Sequence, residues 1–199
     1  MLPSVDAPAA VIEAVADESV SHARDTVSNW LWLHGPRTMP AYYQRDPAWS
    51  GLPYAGASVG GSGCGLTSAS MAFEYWTRER CTPADLRDRV GDSCTVGGLN
   101  SMPAFAEYAR TIGLSSSEQY WDKDRAVSDA LAGKTVWLGV RGRFGGRSYG
   151  GHVVLLWSQG GRLMVNDPAN SDNTREWTTD ELMASGITYG ISIWLEGAI

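Results

Sequence analysis

One cysteine stands in the run Gly60-Gly61-Ser62-Gly63-Cys64-Gly65-Leu66-Thr67-Ser68, where a glycine-rich turn leads straight into a helix-forming segment. A thiol in the first turn of a helix faces unpaired backbone N–H groups, whose partial positive charge favours the thiolate. The small residues before it leave room for a carbonyl to approach. Cys64 is therefore the candidate nucleophile; its other reading is the common fate of a free cysteine, a small buried hydrophobe. A nucleophilic thiol needs a base that titrates near neutrality, which points to histidine. Of the three histidines, His22 and His34 fall in the leading segment, where an exposed or capping role is ordinary. His152 follows Tyr149-Gly150-Gly151 and opens the apolar run Val153-Val154-Leu155-Leu156-Trp157, so a strand end aims its ring beside open glycines.

A catalytic imidazole is usually oriented by a third polar group. A hairpin through Gly160-Gly161 folds Val165-Asn166-Asp167-Pro168 back beside His152, at a similar distance from the turn. Asp167 is favoured as the orienter and Asn166 is its rival, since successive strand residues point to opposite faces and only one of them can serve. Acyl transfer also needs donors for an oxyanion, commonly the nucleophile's own N–H and a side-chain amide. Gln44, in Tyr42-Tyr43-Gln44-Arg45-Asp46-Pro47, is the candidate amide.

The elements that must position these residues follow from periodicity. Val20, Ala23, Val27, Trp30 and Leu31 repeat at helical spacing and predict a leading helix within residues 5–34, ended by Gly35-Pro36. Residues 39–63 read as ordered loop. After Cys64, the positions Ala69, Ala72, Phe73 and Trp76 predict a central helix with one face to the core. Thr82-Pro83-Ala84-Asp85 caps a short helix to about Val90, Phe105 to Ile112 predicts another, and Asp122 to Leu131 a further one. From Lys134 the texture changes to strands: Val136–Val140, Val153–Trp157, Leu163–Val165 and about Ile187–Leu195, with a short helix near Thr179–Ala184. The arginine-rich stretch Arg141–Tyr149 reads as a loop, either a solvated surface loop or a cleft wall drawing acidic substrates. Helices first and strands second define an α+β domain with segregated halves.

A chain of 199 residues, 43% hydrophobic and 19% charged, is globular and long enough for one cored domain with an appendage. No apolar run reaches the roughly 18 residues of a membrane span. A net charge of -6 argues against a nucleic-acid surface. Met1–Val5 lacks the basic and apolar regions of a secretory leader, so the chain is either intracellular or has had its leader removed. Cys64, Cys81 and Cys94 have no metal-ligand spacing; Cys81 and Cys94 either bridge or stay as free thiols. The chemistry calls for neither metal nor cofactor.

Taken in order, the motifs Tyr43-Gln44-Arg45-Asp46-Pro47-Ala48-Trp49, Gly63-Cys64-Gly65-Leu66-Thr67-Ser68, Gly150-Gly151-His152-Val153-Val154 and Val165-Asn166-Asp167-Pro168 resemble those of the papain-like cysteine peptidases of the C39-like group. That group is related to the peptidase domains that trim double-glycine leader peptides. The resemblance implies a papain-like fold over residues 39–199, its nucleophile helix packed on a C-terminal antiparallel sheet. It makes Cys64 the nucleophile, His152 the general base and then acid, Asp167 its orienter and Gln44 an oxyanion donor. A peptide or protein is the implied substrate, and an exported or cell-surface bacterial enzyme the implied setting. The same machinery serves a transpeptidase or cell-wall amidase, and a silent peptide-binding module is the non-enzymatic alternative. The group commonly has proline after Cys-Gly, where this chain has Leu66. Residues 1–38 lie outside the resemblance and are either a packed helical extension or a pro-region.

Overall fold

The computed structural model describes residues 35–199, and the fold is that of the compact unit Arg37–Gly197. The helix expected within residues 5–34, with His22 and His34, lies outside the described residues. A loop leads to a small ladder of β1 (Pro53–Tyr54) and β2 (Ala57–Ser58), then a one-turn helix α1 (Val59–Ser62) and the long helix α2 (Cys64–Thr77). Next come α3 (Pro83–Val90), a second ladder of β3 (Thr95–Val96) and β4 (Leu99–Asn100), α4 (Met102–Thr111), β5 (Ser115–Ser116) and α5 (Lys123–Leu131). The C-terminal half holds β6 (Thr135–Phe144), β7 (Arg147–Gln159), β8 (Arg162–Asn166), β9 (Arg175–Trp177), α6 (Thr179–Met183) and β10 (Ile187–Trp194). Among the described residues no helix is long and apolar enough to cross a membrane.

Local chemistry sets most of these boundaries. Thr82 accepts from the Asp85 N–H while the Asp85 carboxylate accepts from the Thr82 N–H, closing a capping box around Pro83 at the start of α3. Gly160 and Gly161 have φ of 58° and 76°, the paired left-handed conformation of a two-residue hairpin turn, and this fixes the β7–β8 register with Leu155 opposite Asn166. The end of α2 had no such signal. It stops at Arg78, which takes a left-handed φ of 59° without being a glycine.

The strands form one antiparallel sheet in the order β5-β10-β6-β7-β8-β9. The α+β architecture is as expected, with one crossing between its halves: β5, from the helical half, supplies an edge. Both faces of the sheet are covered. On one lie α2 and α4, with Phe73 and Phe105 edge-on to Trp137. On the other, Ala126 and Ala130 of α5 and Leu182 of α6 pack with Leu138, Val154, Leu156 and Val165.

Helix α2 differs from its amphipathic reading, because it is buried on nearly every side from Gly65 to Phe73. Small side chains make that burial close. Ser68 donates to Val153 O at 3.2 Å, Trp137 Nε1 donates to Ser68 O at 3.2 Å, and Ser70 turns its hydroxyl back to Leu66 O. The arginine-rich stretch also differs: Arg141–Phe144 extends β6 and Arg147–Tyr149 begins β7, with Gly145-Gly146 as their turn. Charged and glycine residues conceal the strand, although Phe144 at the end of β6 is buried against Trp177.

Gly139 shows how tight the sheet is. Its register partner Tyr189 lays its ring where a Cβ on residue 139 would stand. Gly139→Ala should lower stability by about 1–3 kcal/mol through overpacking, read as a lower urea midpoint. Gly51→Ala, which meets open space, should not lower it.

Candidate active site

Cys64 is the first residue of α2, half-buried, at one wall of a cleft of about 310 Å3. His152 lines the same cleft from the sheet, where it pairs with Val140 just before a bulge between Val140 and Gly142. The pin from Ser68 to Val153 joins the two walls: Ser68 is one helical turn after Cys64, and Val153 follows His152. The His152 Nε2–H donates to Asp167 Oδ1 at 2.7 Å. Cys64 and His152 thus face one cleft, with the carboxylate of Asp167 behind the ring.

Asp167 is buried, and four donors satisfy it. Oδ1 takes His152 and the Ala169 N–H; Oδ2 takes the Tyr149 hydroxyl at 2.7 Å and Asn173 Nδ2 at 2.9 Å. Burial alone would raise its pKa. The hydrogen bond and charge of His152, with Asn173 and the Ala169 N–H, outweigh that and hold the carboxyl below the usual carboxylate range. For His152 burial works toward a lower pKa, yet hydrogen bonds to Asp167 and Cys64 outweigh it and push the imidazole up to about 9. Asn166, the rival orienter, belongs to the opposite face. Its amide donates to Pro40 O and its oxygen accepts from Trp157 Nε1.

Gln44 is buried behind the nucleophile turn. Its Nε2 donates to Gly60 O at 2.9 Å and its backbone N–H to Pro168 O at 2.8 Å, and it is not among the residues lining the cleft. The amide nearest the sulfur is instead Asn100. Its Nδ2 lies 3.6 Å from Cys64 Sγ and donates to Ser62 O at 2.7 Å, while its Oδ1 accepts from the Leu66 N–H and the Tyr54 hydroxyl. Leu66 therefore supplies an N–H that a proline there would lack. Nothing in the sequence ties Asn100 to Cys64, 36 residues away. Tyr149 is a further residue the sequence did not assign: its ring stacks on His152 with centroids 4.2 Å apart. Burial and the neighbouring Asp167 push its phenol up. Asn173 is the third, and its signal, an asparagine beyond Asp167-Pro168, is too common to read.

The three thiols are all unpaired, so Cys81 and Cys94 form no disulfide. Among the described residues no cluster of three or more His, Cys, Asp or Glu side chains is placed to hold a metal.

A buried helix bearing a thiol at its first turn, pressed on an antiparallel sheet bearing the imidazole and carboxylate, is the papain-like α+β architecture. The chain matches the model of the Peptidase_C39 like family over residues 37–191 and belongs to that family. Among solved structures it is similar to the peptidase domain of Streptococcus ComA, a bi-functional ABC transporter involved in a quorum-sensing pathway. There the identity is 15%, the TM-score 0.52, and the match covers 80% of this chain and 100% of that one. It is also similar to a protein of Bacillus anthracis described as a C39-like peptidase, at 13% identity and a TM-score of 0.50, over 78% of this chain and 94% of that one. Both likenesses concern the fold. No curated protein matches the chain.

Two outcomes follow from this geometry. Burial pushes Cys81 up to about 12 and raises Cys94 as well, so both should alkylate slowly. Limited iodoacetamide treatment should therefore label Cys64 first, as read by peptide mass mapping, and equal labelling of all three would contradict the site. The buried pair also sets a stability window. The His152 contribution is full below its unfolded pKa of about 6.5 and is lost as pH rises through about 9. The Asp167 contribution is present above its unfolded pKa of about 3.9 and is lost as pH falls through its lower folded value. Urea midpoints should be highest between those limits and fall by pH 9.5, and His152→Gln should flatten the alkaline decline.

Proposed function

We propose that this chain is a thiol-dependent peptidase that hydrolyses peptide amide bonds through Cys64, His152 and Asp167. The observation that carries the reading is the placement of the Cys64 thiol and the His152 ring on one open cleft, with the ring held by the Asp167 carboxylate at 2.7 Å. Family membership supports it.

The steps follow from the geometry. Cys64 sulfur, its proton passed to His152 Nδ1, attacks the scissile carbonyl carbon, and the carbonyl electron pair moves onto oxygen. The Cys64 backbone N–H, at the open start of α2, is assigned to that oxyanion. Asn100 fixes the turn that presents the sulfur, by holding Ser62 O and the Leu66 N–H. As the tetrahedral centre collapses, the C–N bond breaks and His152 delivers its proton to the leaving amine. Water then attacks the thioester, His152 takes its proton, and the acid product leaves with the thiol restored. Asp167 keeps the ring in one orientation throughout and stabilises its charged form.

Mass spectrometry of the intact chain, quenched in acid during turnover of a peptide mixture, should show a covalent adduct that is absent in Cys64→Ala. Activity should fall on the alkaline side near pH 9, where His152 loses the proton it must give to the amine. Replacing Asp167 by Asn removes a charge that raises His152, so the alkaline limb should move to lower pH by about 1–3 units. An alkaline limb that stays in place in Asp167→Asn would rule out this assignment of the pair.

A further inference from the structure

The three arginines of the β6–β7 hairpin have separate fates. Arg147 donates to Ala169 O and stands over the Tyr149 ring. Arg143 reaches Gly145 O and lines a different cavity. Arg141 alone among them lines the cleft that holds Cys64 and His152.

Its backbone is fixed there. Arg141 N–H donates to Gly186 O at 2.8 Å, and Gly186 N–H donates to Arg143 O at 2.7 Å. A side chain on residue 186 would collide with Arg141 O, so the glycine permits this close crossing of strands. Arg141 also directly follows Val140, the register partner of His152. From that anchored position the side chain is exposed, and among the described residues its guanidinium has no hydrogen-bond or ion-pair partner. Among the described residues no Asp or Glu lines the cleft, and its other titratable side chains are Cys64, His152 and Tyr189. A local positive field therefore sits beside the thiol of a protein whose net charge is -6 and which otherwise repels anions.

We propose that Arg141 selects substrate: its guanidinium binds a carboxylate carried by the peptide close to the scissile bond. Guanidinium and carboxylate match as a planar two-point pair, and the glycines at 142 and 151 leave space around it. The carboxylate comes either from an acidic side chain or from the peptide's C-terminus. This proposal rests on Cys64 being the reactive thiol.

The test uses the whole chain and two alkylating reagents that differ in charge, iodoacetate and iodoacetamide, with Cys64 labelling followed by mass mapping. The iodoacetamide rate is the reference within each variant, so losses of folding or thiol reactivity cancel from the ratio of the two rates. That ratio should drop about fivefold in Arg141→Gln, a size typical of an exposed ion pair, drop further in Arg141→Glu, and persist in Arg141→Lys. Raising the salt should lower it in the parent chain and in Arg141→Lys but not in Arg141→Gln. An unchanged ratio in Arg141→Gln and Arg141→Glu overturns this proposal alone, whereas Cys64 labelling no faster than Cys81 and Cys94 overturns the peptidase reading and the proposal with it.

Protection of Cys64 from iodoacetamide separates the two carboxylate sources. The probes are acetyl-Ala-Ala-Glu-Ala-Ala-amide, its Gln counterpart, and that counterpart with a free C-terminus. Stronger protection by the first assigns the side chain, and by the third the C-terminus. Equal protection by all three, unaltered in Arg141→Gln, overturns the selection.

Discussion

The close seating of α2 on β7 is the constraint from which the site follows. Cys64 heads the helix and His152 opens the buried run of the strand, so their separation is set by how near the helix lies and where along the strand it sits. The small Ser68 lets it lie near the strand, as Gly65 lets it lie near Asn100 and Met102. Ser68 to Val153 O and Trp137 to Ser68 O fix the position along the strand within one helical turn of the thiol. Polar groups in so dry a contact must be paired. A helix faced with larger apolar residues would stand farther off and carry the thiol away from the ring.

Asp167 depends on that arrangement and completes it. A buried carboxylate keeps its charge only when donors replace the water it gives up. Its four donors come from β7 and from the segment following β8, so the hairpin, the chain beyond Pro168 and the imidazole are tied at one point. The same pairing holds His152 protonated through the neutral range. Electrostatics of folding and of the candidate site meet in a single interaction.

The side of the cleft nearer the helix is organised differently, by amides and not by charge. Asn100 reaches the nucleophile turn from the β3–β4 ladder and holds it at Ser62 O and Leu66 N–H, while Gln44 holds the preceding turn at Gly60 O. Among the described residues Arg141 supplies the one permanent cation in the cleft lining. A neutral wall facing a positive one gives the cleft polarity.

Much of this was legible in the residues themselves, and the reason is range. Capping boxes, the Gly160-Gly161 turn and the alternation of β7 and β8 are decided within about ten residues, so α3, the hairpin and the opposite facing of Asn166 and Asp167 follow from sequence. Residue chemistry also singled out a thiol at a helix start and a histidine beside an apolar run as candidates. What only the tertiary structure decided lies across long separations: Asn100 against Cys64, Ser68 against Val153, the burial that raises Cys81, and the partners that raise His152 in spite of its burial. The arginine stretch shows the division most plainly. Its composition, arginines and glycines around Phe144, carries no strand signal, and its backbone pairing with Gly186 holds the segment that sets Arg141 in the cleft and Arg143 outside it. Sequence named the candidate groups; packing chose their distances and their charges.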